Sequence, residues 1–593
     1  MTPGRVVRLL VVLTPAILLV ASAIWFVSRS AIPAKHDVDT TSEVGTGTGK
    51  LVVVVTFDQM RGEYLSRWAG EFGPGGFERM KTEGIWYRNA HLPYACSSTA
   101  PGHASIVTGA PPSVHGIIEN RWYDRAKGKV VYAASSEETY DRVPPSEGVA
   151  KKWPGIAPTR LLAPTVGDSL REATNGKGRT VSLSMKDRSA VLMGGKEPVG
   201  CYCFDSSEGE FHTSSFYRSR LPDWVDRFNR DSVYRWAGRS WDRLKPQEIY
   251  DRLAGPDNMN GEAKNPGGLP SIFPHVLPKA DDKTANYLTA IEASPFGNEL
   301  LWEFAKTAID AEKLGDRGVS DLLLVSFSPN DIVGHAYGPD SHEVMDITLR
   351  SDAMIADMIA HLERTLGKDR FVLIITADHG ICPLPEMAIR THPGAKRMSL
   401  GENVNGLDAA LDAAFGLPGG VAGRWVEGPI RDTHPWVYLN RRTIESVGVP
   451  YENVESYARN WLEGRANVMA AFSRTQIEKG DFPSALGKQF GPMVRLSYHP
   501  DRCGDLYILT PPYYQVSGAL STGTDHGTPH EYDRHVPILV YGAGVMKRGT
   551  REEAVSSLIV LPLSPQPSEC PHPQWPRRKP PKASWRRSNT RSR

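Results

Sequence analysis

The stretch from Tyr94 to Gly109 presents a hydroxyl group at the expected start of a helix. Pro101 suits a first helical turn, where a missing backbone N–H costs little, and the apolar residues after it continue a helical pattern. The side chain of Thr99 then lies where backbone N–H groups and the positive end of the helix dipole converge, which favours an alkoxide or a bound phosphate. Taken alone, Thr99 is more simply explained as an ordinary helix cap.

A group of acidic and imidazole side chains elsewhere in the chain could activate this hydroxyl. The group consists of Asp58, Asp331, His335, Asp378, His379 and His526. Carboxylate and imidazole ligands together suit zinc, whereas an all-oxygen set suits magnesium or calcium. The six residues are enough for two metal ions, which at a separation of about 4 Å can activate an attacking oxygen and stabilise a leaving oxygen. A threonine hydroxyl is a weak nucleophile at neutral pH, so metal coordination is the activation that Thr99 needs.

Three further polar residues could bind a phosphoryl group. Arg188 can hold two oxygens in a bidentate manner, Lys186 adds a point charge, and Asn120 can donate an amide hydrogen bond. Charge that builds on the phosphoryl group in the transition state would then meet preorganised donors. The alternative is that Lys186 and Arg188 are solvated charges at the end of a strand.

Three continuous apolar runs, rich in β-branched residues, predict strands that are covered on both faces. The runs span 50–57, 321–327 and 370–376, and they lead to Asp58, Asp331 and Asp378. Helical patterns near 300–309 and at 343–366 precede the second and third runs. This alternation predicts an α/β fold with a mostly parallel central sheet flanked by helices. Although a single Asp after a strand is usually a cap or turn residue, three such strands predict a shared crevice at their carboxyl ends.

Other segments extend this arrangement into one catalytic domain at 50–545. An apolar pattern at 179–185 predicts a strand that delivers Lys186 and Arg188, and 535–542 predicts another strand after the loop of His526. Residues 204–297 are interpreted as an insertion that forms a cap over the crevice, with a helix near 221–228. A second insertion spans 385–520, with a helix near 452–463 and strands at 436–439 and 505–509.

Composition excludes several classes of protein. With 593 residues, 40% hydrophobic and 23% charged, the chain can bury a large core. The net charge is +2, but residues 561–593 carry a surplus of seven positive charges, so the rest has a net charge of −5. This mildly acidic body argues against a nucleic-acid-binding surface. The six cysteines form no CxxC pattern, so any metal is expected to be held by His and carboxylate side chains.

The first 30 residues predict an export signal peptide or a signal anchor. Basic residues precede an apolar run at 9–27, which is nearly long enough to cross a bilayer and favours a cytoplasmic N-terminus with the body exported. Residues 21–23 could form a cleavage site, but the apolar run continues beyond them, which favours an uncleaved anchor. A polar, Gly-rich linker follows at 31–49. The expected location is therefore periplasmic or otherwise extracytoplasmic, with a tether to the inner membrane if the anchor is retained.

Seven motifs, in this order along the chain, resemble those of the alkaline phosphatase superfamily. They lie at 54–61, 98–103, 115–120, 185–188, 328–335, 377–380 and 525–527. They are most similar to the phosphate-insensitive bacterial phosphomonoesterases that use a threonine nucleophile and are related to the nucleotide pyrophosphatases and phosphodiesterases. The resemblance extends from about residue 50 to residue 545.

The resemblance implies two Zn²⁺ ions per chain and small-molecule phosphate monoesters as substrates. It implies one zinc site with Asp331, His335 and His526, and another with Asp58, Thr99, Asp378 and His379. It also implies that Asn120, Lys186 and Arg188 contact the phosphoryl oxygens and that Thr99 forms a phosphothreonine intermediate. A monoester dianion has one more charged oxygen than a diester, so the pair of cations favours a monoesterase. A phosphodiesterase with the same two-zinc core is the alternative. His103 lies close to one of the motifs, but no role is assigned to it, and it is expected to be a structural or surface histidine.

The C-terminal segment departs from this family. Members usually continue after the position of Val545 with a short Asp-Ile-Ala-Pro-Thr-like segment and a closing amphipathic helix, whereas residues 556–593 form a Pro- and Arg-rich tail. One hypothesis is an out-of-frame translation from about residue 556, and the alternative is a genuine basic tail. A frameshift would predict a poorly folded, catalytically silent relative despite intact site residues.

Overall fold

The computed structural model describes residues 51–146, 155–280, 285–417, 424–428, 435–516, 522–545 and 547–560. The predictions for the signal or anchor (1–30), the linker (31–49) and most of the tail (561–593) lie outside these residues. Among the helices that are described, none combines the length and the apolar character needed to cross a membrane.

The strands belong to one large sheet and four small ones. They are β1 (Leu51–Phe57), β2 (Ile85–His91), β3 (Arg121–Asp124), β4 (Lys129–Tyr132), β5 (Arg142–Val143), β6 (Thr180–Ser184), β7 (Gly200–Asp205), β8 (Glu210–Ser214), β9 (Ser240–Trp241), β10 (His275–Val276), β11 (Asp321–Phe327), β12 (Phe371–Thr376), β13 (Lys396–Met398), β14 (Val426–Glu427), β15 (Trp436–Leu439), β16 (Ala470–Ser473), β17 (Leu506–Leu509), β18 (Tyr514–Val516), β19 (His535–Gly542) and β20 (Gly549–Ser556).

The helices lie mostly between the strands of the large sheet and in the two predicted insertions. They are α1 (Tyr64–Arg67), α2 (Phe77–Glu83), α3 (Thr99–Thr108), α4 (Pro112–His115), α5 (Val166–Ala173), α6 (Asp187–Gly194), α7 (Asp223–Ser232), α8 (Gln247–Leu253), α9 (Ala285–Glu292), α10 (Pro295–Glu312), α11 (Pro329–Tyr337), α12 (His342–Thr365), α13 (Pro385–Ala388), α14 (Gly401–Phe415), α15 (Arg441–Val447), α16 (Tyr451–Glu463), α17 (Arg474–Lys479), α18 (Ala485–Ser497) and α19 (Glu531–Arg534). Short 3₁₀ turns span Ala69–Glu71, Pro266–Gly268 and Ser557–Ile559.

The large sheet has ten strands in the order β20-β2-β19-β12-β1-β11-β6-β7-β8-β5. The strands from β12 through β1, β11 and β6 to β7 are parallel, whereas β19 is antiparallel to both of its neighbours. At one edge of the sheet, β20 pairs in parallel with β2, and its residues lie beyond the predicted domain end at 545. At the other edge, β8 is antiparallel to both β7 and β5. The α/β fold with a mostly parallel central sheet is therefore confirmed.

Strand β1 lies in the middle of this sheet and is buried on both faces, as its β-branched run predicted. Leu51, Val53 and Val55 belong to one hydrophobic core and Val52 and Val54 to another, because successive side chains of a strand point to opposite faces. The register aligns the last residues of β1 with those of β11 and β12. The residues that follow these three strands therefore lie together at the carboxyl ends of the strands.

The other predicted elements are also present. The patterns at 179–185 and 535–542 form β6 and β19 of the large sheet, and those near 221–228, 300–309, 343–366 and 452–463 correspond to α7, α10, α12 and α16. The segment 204–297 adds β8 to an edge of the large sheet and continues into short helices. The segment 385–520 contains the sheet β14-β15-β17-β16, in which β15 and β17 match the two predicted strands.

The small sheet β14-β15-β17-β16 is organised around the buried carboxylate of Asp505. Its Oδ1 accepts hydrogen bonds from Arg441 Nη2 and Tyr451 Oη, both at 2.9 Å, and its Oδ2 accepts one from the backbone N–H of Leu439 at 2.8 Å. Arg125, from outside this segment, also pairs with Oδ2. Burial opposes ionisation, but the positive charges of Arg125 and Arg441 hold the pKa of Asp505 below its usual value.

We expect Asp505→Asn to lower the free energy of unfolding by about 3 kcal/mol at pH 7, because the arginines lose their buried partner. The depressed pKa means that this contribution is complete above the ordinary value of 3.8 and is lost as the pH falls through the folded-state pKa. Urea unfolding at pH 7 and pH 3 measures both effects. Asp501→Asn, at an exposed position of the same segment, serves as the control, and an equal effect of the two substitutions at pH 7 would contradict this role of Asp505.

Candidate active site

The hydroxyl of Thr99 is buried at the first residue of α3 and does not cap this helix. The N-cap residue is Ser98, whose hydroxyl donates to Glu119 Oε2 at 2.7 Å and makes no capping hydrogen bond. Thr99 Oγ1 lies 3.3 Å from Nη2 of Arg188, which donates to it, and 3.5 Å from Nε2 of His379. The hydroxyl therefore faces two of the other predicted site residues.

The ends of β1 and β12 place three site residues in contact. Asp58 directly follows β1, and Asp378 and His379 follow β12 after one intervening residue. Nε2 of His379 lies 3.5 Å from Asp58 Oδ1 and 3.4 Å from Asp378 Oδ2. All three side chains are completely buried. The parallel register of the two strands therefore brings these ligands together, as the sequence predicted.

Helix α11 and the loop before α19 supply the remaining predicted ligands. Asp331 and His335 are one helical turn apart, and His335 Nε2 lies 3.1 Å from Asp331 Oδ1. His526 Nε2 lies 3.6 Å from the same carboxylate oxygen. The rings of His526 and His379 stack with their centroids 3.6 Å apart, so the two groups of ligands form one continuous site.

The three imidazoles are oriented by backbone carbonyls. Nδ1 of His335 donates to Thr524 O at 2.7 Å, that of His379 to Gly380 O at 2.9 Å, and that of His526 to Ser97 O at 2.9 Å. With Nδ1 bonded in this way, each ring directs its Nε2 towards the carboxylates. Metal-binding histidines commonly have such an outer hydrogen bond, because it fixes the tautomer and the ring orientation.

The donor set fits divalent cations. Three groups have their ligand atoms within 4.8 Å of one another: Asp331, His335 and His526; Asp58, Asp331 and His379; and Asp58, His103 and Asp378. Oδ1 of Asp58 is buried and has no hydrogen-bond partner in the described part of the chain. Burial and the nearby charge of Asp378 raise the pKa of Asp58. A bound cation would offset both effects, since buried charges are normally paired or coordinate metals.

Lys186 lies between two carboxylates that belong to different predicted metal sites. Its Nζ is 2.7 Å from Asp58 Oδ2 and also contacts Asp331 Oδ2. Burial would raise the pKa of Asp331, but the charges of His335 and Lys186 hold it well below its usual value. The ammonium group therefore adds positive charge at the junction of the two ligand groups.

Asn120 contacts the first turn of α3 next to Thr99. Its Oδ1 accepts the backbone N–H of Ala100 at 2.8 Å, which leaves its Nδ2 hydrogens for another acceptor. Arg188 contacts the Thr99 hydroxyl, and Asn120 contacts the backbone of the next residue, so both residues bring N–H groups close to this position. All ten predicted site residues thus lie close together at the carboxyl ends of the central strands.

Two residues without a predicted catalytic role also support the site. His103 is fully buried, and its Nδ1 lies 2.8 Å from Thr99 O and 3.0 Å from Asp378 Oδ2. Gln59 Nε2 donates to Asp331 Oδ1 at 2.6 Å, and its backbone N–H donates to Asp378 Oδ1 at 3.1 Å. The spacing of four residues from Thr99 is a signal that could have identified His103, because such residues share a helix face.

Comparison with known proteins gives consistent matches over most of the chain. The family described as type I phosphodiesterase / nucleotide pyrophosphatase matches residues 52–533. Alkaline phosphatase PhoV of Synechococcus elongatus is 33% identical over 516 residues, which cover 87% of this chain and 89% of the relative. Alkaline phosphatase PafA of Elizabethkingia meningoseptica is 32% identical over 514 residues, which cover 86% and 90%. The crystal structure of wild-type alkaline phosphatase PafA matches with a TM-score of 0.76 and 31% identity over 87% of this chain and 94% of that one.

Proposed function

Because the chain belongs to the type I phosphodiesterase/nucleotide pyrophosphatase family of the alkaline phosphatase superfamily, we propose that it is an alkaline phosphatase. We further propose that the enzyme is exported and depends on zinc. It is a phosphoric monoester hydrolase, and Thr99 is its nucleophile. The observation that carries this assignment is the position of Thr99 Oγ1, between the guanidinium of Arg188 and the imidazole of His379. The apolar run at 9–27 supports export.

Two zinc sites account for the composition of the buried ligand groups. Asp331, His335 and His526 would hold one Zn²⁺, and Asp58, Asp378, His379 and Thr99 would hold the other. When bound, the two ions would supply Lewis acidity that lowers the pKa of the nucleophilic hydroxyl and stabilises the leaving oxygen. The oriented imidazoles and the unpartnered Asp58 Oδ1 support this assignment.

The side chains around Thr99 have distinct roles in the proposed reaction. Arg188, Lys186 and Asn120 bind the phosphoryl oxygens and hold the phosphorus atom close to Thr99 Oγ1. The Thr99 hydroxyl loses its proton as its oxygen attacks phosphorus, the bond to the leaving oxygen breaks, and the departing alkoxide takes up one proton, which leaves a phosphothreonine. A water molecule then attacks the same phosphorus, the Thr99 oxygen leaves, and inorganic phosphate is released.

The charge of the site favours a monoester over a diester. A monoester dianion presents an additional charged oxygen, and the partly buried cations Lys186 and Arg188 interact more strongly with it than with a diester monoanion. The phosphodiesterase alternative retains support from the description of the family, which includes both phosphodiesterases and nucleotide pyrophosphatases.

We expect the purified protein to hydrolyse an aryl phosphate monoester faster than the matching diester and to contain two zinc ions per chain. Chelation should lower the rate by more than about 100-fold, because the hydroxyl of Thr99 loses its activation, and added Zn²⁺ should restore it. Initial rates measure activity, and elemental analysis of the protein measures the metal. Diester preference would instead assign a phosphodiesterase, and no turnover by folded, zinc-containing protein would contradict both assignments.

A further inference from the structure

A cavity of about 510 Å³ begins at Lys186 and Arg188 and extends towards the edge of the large sheet, where it is lined by β5 and β8. A phosphoryl group held by these two cations would border this space directly. The volume is in the range of small-molecule binding sites and is much larger than a phosphate group requires. The cavity can therefore receive a further part of the substrate.

Four buried polar atoms of the cavity-lining residues have no hydrogen-bond partner among the described residues: Nη2 of Arg142, Nε of Arg188, Nδ1 of His212 and Oγ1 of Thr213. Of these residues, Arg142 and Thr213 are almost completely buried, with 7% and 1% of their surface exposed. The guanidinium of Arg142 is fixed by Asp205 at 3.1 Å and by Glu210 at 2.8 Å, so the free Nη2 is held in place. Because buried polar atoms are normally paired, these atoms indicate a ligand with hydrogen-bonding capacity.

The same wall also presents acceptors. The carboxylates of Asp205 and Glu292 line the cavity beside these donors. Burial, together with the charge of Asp205, raises the pKa of Glu292 to about 7. The positive charge of Arg142 is already offset by its two salt bridges. A second anionic group would lie against these carboxylates, since the other lining arginine, Arg121, is exposed and packs over the ring of Tyr132. A purely apolar group would leave polar atoms unsatisfied.

The cavity wall favours a group that is uncharged and that forms hydrogen bonds. Hydroxyl groups have both properties, because each is neutral and can donate and accept hydrogen bonds. Apolar side chains of Ile156, Met185 and Phe204 also line the cavity and could contact the carbon skeleton of such a group. We propose that this cavity is the subsite for a polyhydroxylated leaving group, so that sugar phosphates and polyol phosphates are preferred substrates, with Thr213 and Glu292 as specificity-determining residues. This inference rests on the proposed phosphomonoesterase function.

The test compares glucose 6-phosphate with n-hexyl phosphate. Both are monoesters of a primary alcohol, so their intrinsic reactivities are similar and they differ mainly in the hydroxyl groups. The native zinc-loaded protein should favour the sugar phosphate by about tenfold in kcat/KM, as expected for at least two hydrogen bonds. Thr213→Val, which removes the hydroxyl with little change in shape, and Glu292→Gln should each reduce this preference by roughly threefold.

Thr213→Ser is the matched control, because it keeps the hydroxyl and should keep the preference. The rate with n-hexyl phosphate serves as an internal check on folding and zinc content in every variant. Equal kcat/KM values for the two substrates in the native protein, or an unchanged preference in both Thr213→Val and Glu292→Gln, would overturn the subsite. p-Nitrophenyl phosphate separates the two proposals, because its hydrolysis shows that the phosphomonoesterase function stands even when the subsite does not.

Discussion

Replacing Thr99 by alanine should lower kcat/KM for a phosphate monoester by on the order of 10⁴-fold or more, because the proposed attacking oxygen is removed. Thr99 Oγ1 lies between Arg188 Nη2 and His379 Nε2, and no other described hydroxyl group has this pair of neighbours. Thr99→Ser retains the oxygen and should retain most of the activity. Steady-state kinetics of both variants with an aryl phosphate, at saturating zinc, measure the difference.

A covalent intermediate gives a second, independent measurement. Acid quenching during turnover of a ³²P-labelled substrate should trap phosphothreonine in the native protein and none in Thr99→Ala. Thr108→Ala is a suitable control, since Thr108 lies in the same helix and its hydroxyl donates to a backbone carbonyl, that of Ala104, at 2.7 Å. If Thr99→Ala kept more than about a tenth of native activity with normal zinc content, Thr99 would not be the nucleophile.

The double substitution Lys186→Ala/Arg188→Ala should convert a monoesterase into an enzyme with little selectivity. We expect monoester kcat/KM to fall by about 10³-fold, since two charge-assisted contacts to the phosphoryl oxygens are lost in a buried site. Hydrolysis of a diester should fall by less than about tenfold, because it lacks the additional charged oxygen. The ratio of the two kcat/KM values is the quantity to measure.

Zinc content must be determined in the same preparations, because Lys186 contacts carboxylates from both ligand groups. A variant that retains both ions but loses monoester selectivity supports direct contact with the phosphoryl group. Parallel losses for monoester and diester, with unchanged zinc, would show that the two cations do not discriminate between these substrates. The single Arg188→Ala variant, in which Lys186 keeps its carboxylate partners, separates the two contributions.

Much of the central sheet could be predicted because its strands are covered on both faces. Strands β1, β11 and β12 are continuous apolar runs, and the structure places their ends within about one residue of the predicted bounds. Strands β2 and β20 were not predicted, because they lie at the edge of the sheet and have mixed polar and apolar composition. Their pairing depends on contacts between residues more than 400 positions apart, which local patterns do not report.

The site was predictable to the extent that its residues follow strands or occupy motifs. The hydrogen bond from Gln59 to Asp331 could not be predicted, because the Gln59 side chain reaches Asp331 from a left-handed backbone conformation with φ of 72°. A side chain added to Gly334 would lie 1.7 Å from Gln59 Oε1, so this contact needs a glycine on the facing helix. The bridge between Lys186 and the two carboxylates likewise depends on the order of β6, β11 and β1 in the sheet.

The ligands of the site are spread over almost the whole sequence, from Asp58 to His526. The strands that align them pair segments that are distant along the chain, and such contacts form late when a protein folds. As the chain emerges from the ribosome, Thr99 appears more than 400 residues before His526. A nascent or prematurely terminated chain therefore carries Thr99, the proposed nucleophile, without the complete set of predicted metal ligands. We therefore expect phosphatase activity only after nearly all of the polypeptide has been synthesised and β19 has paired with the rest of the sheet.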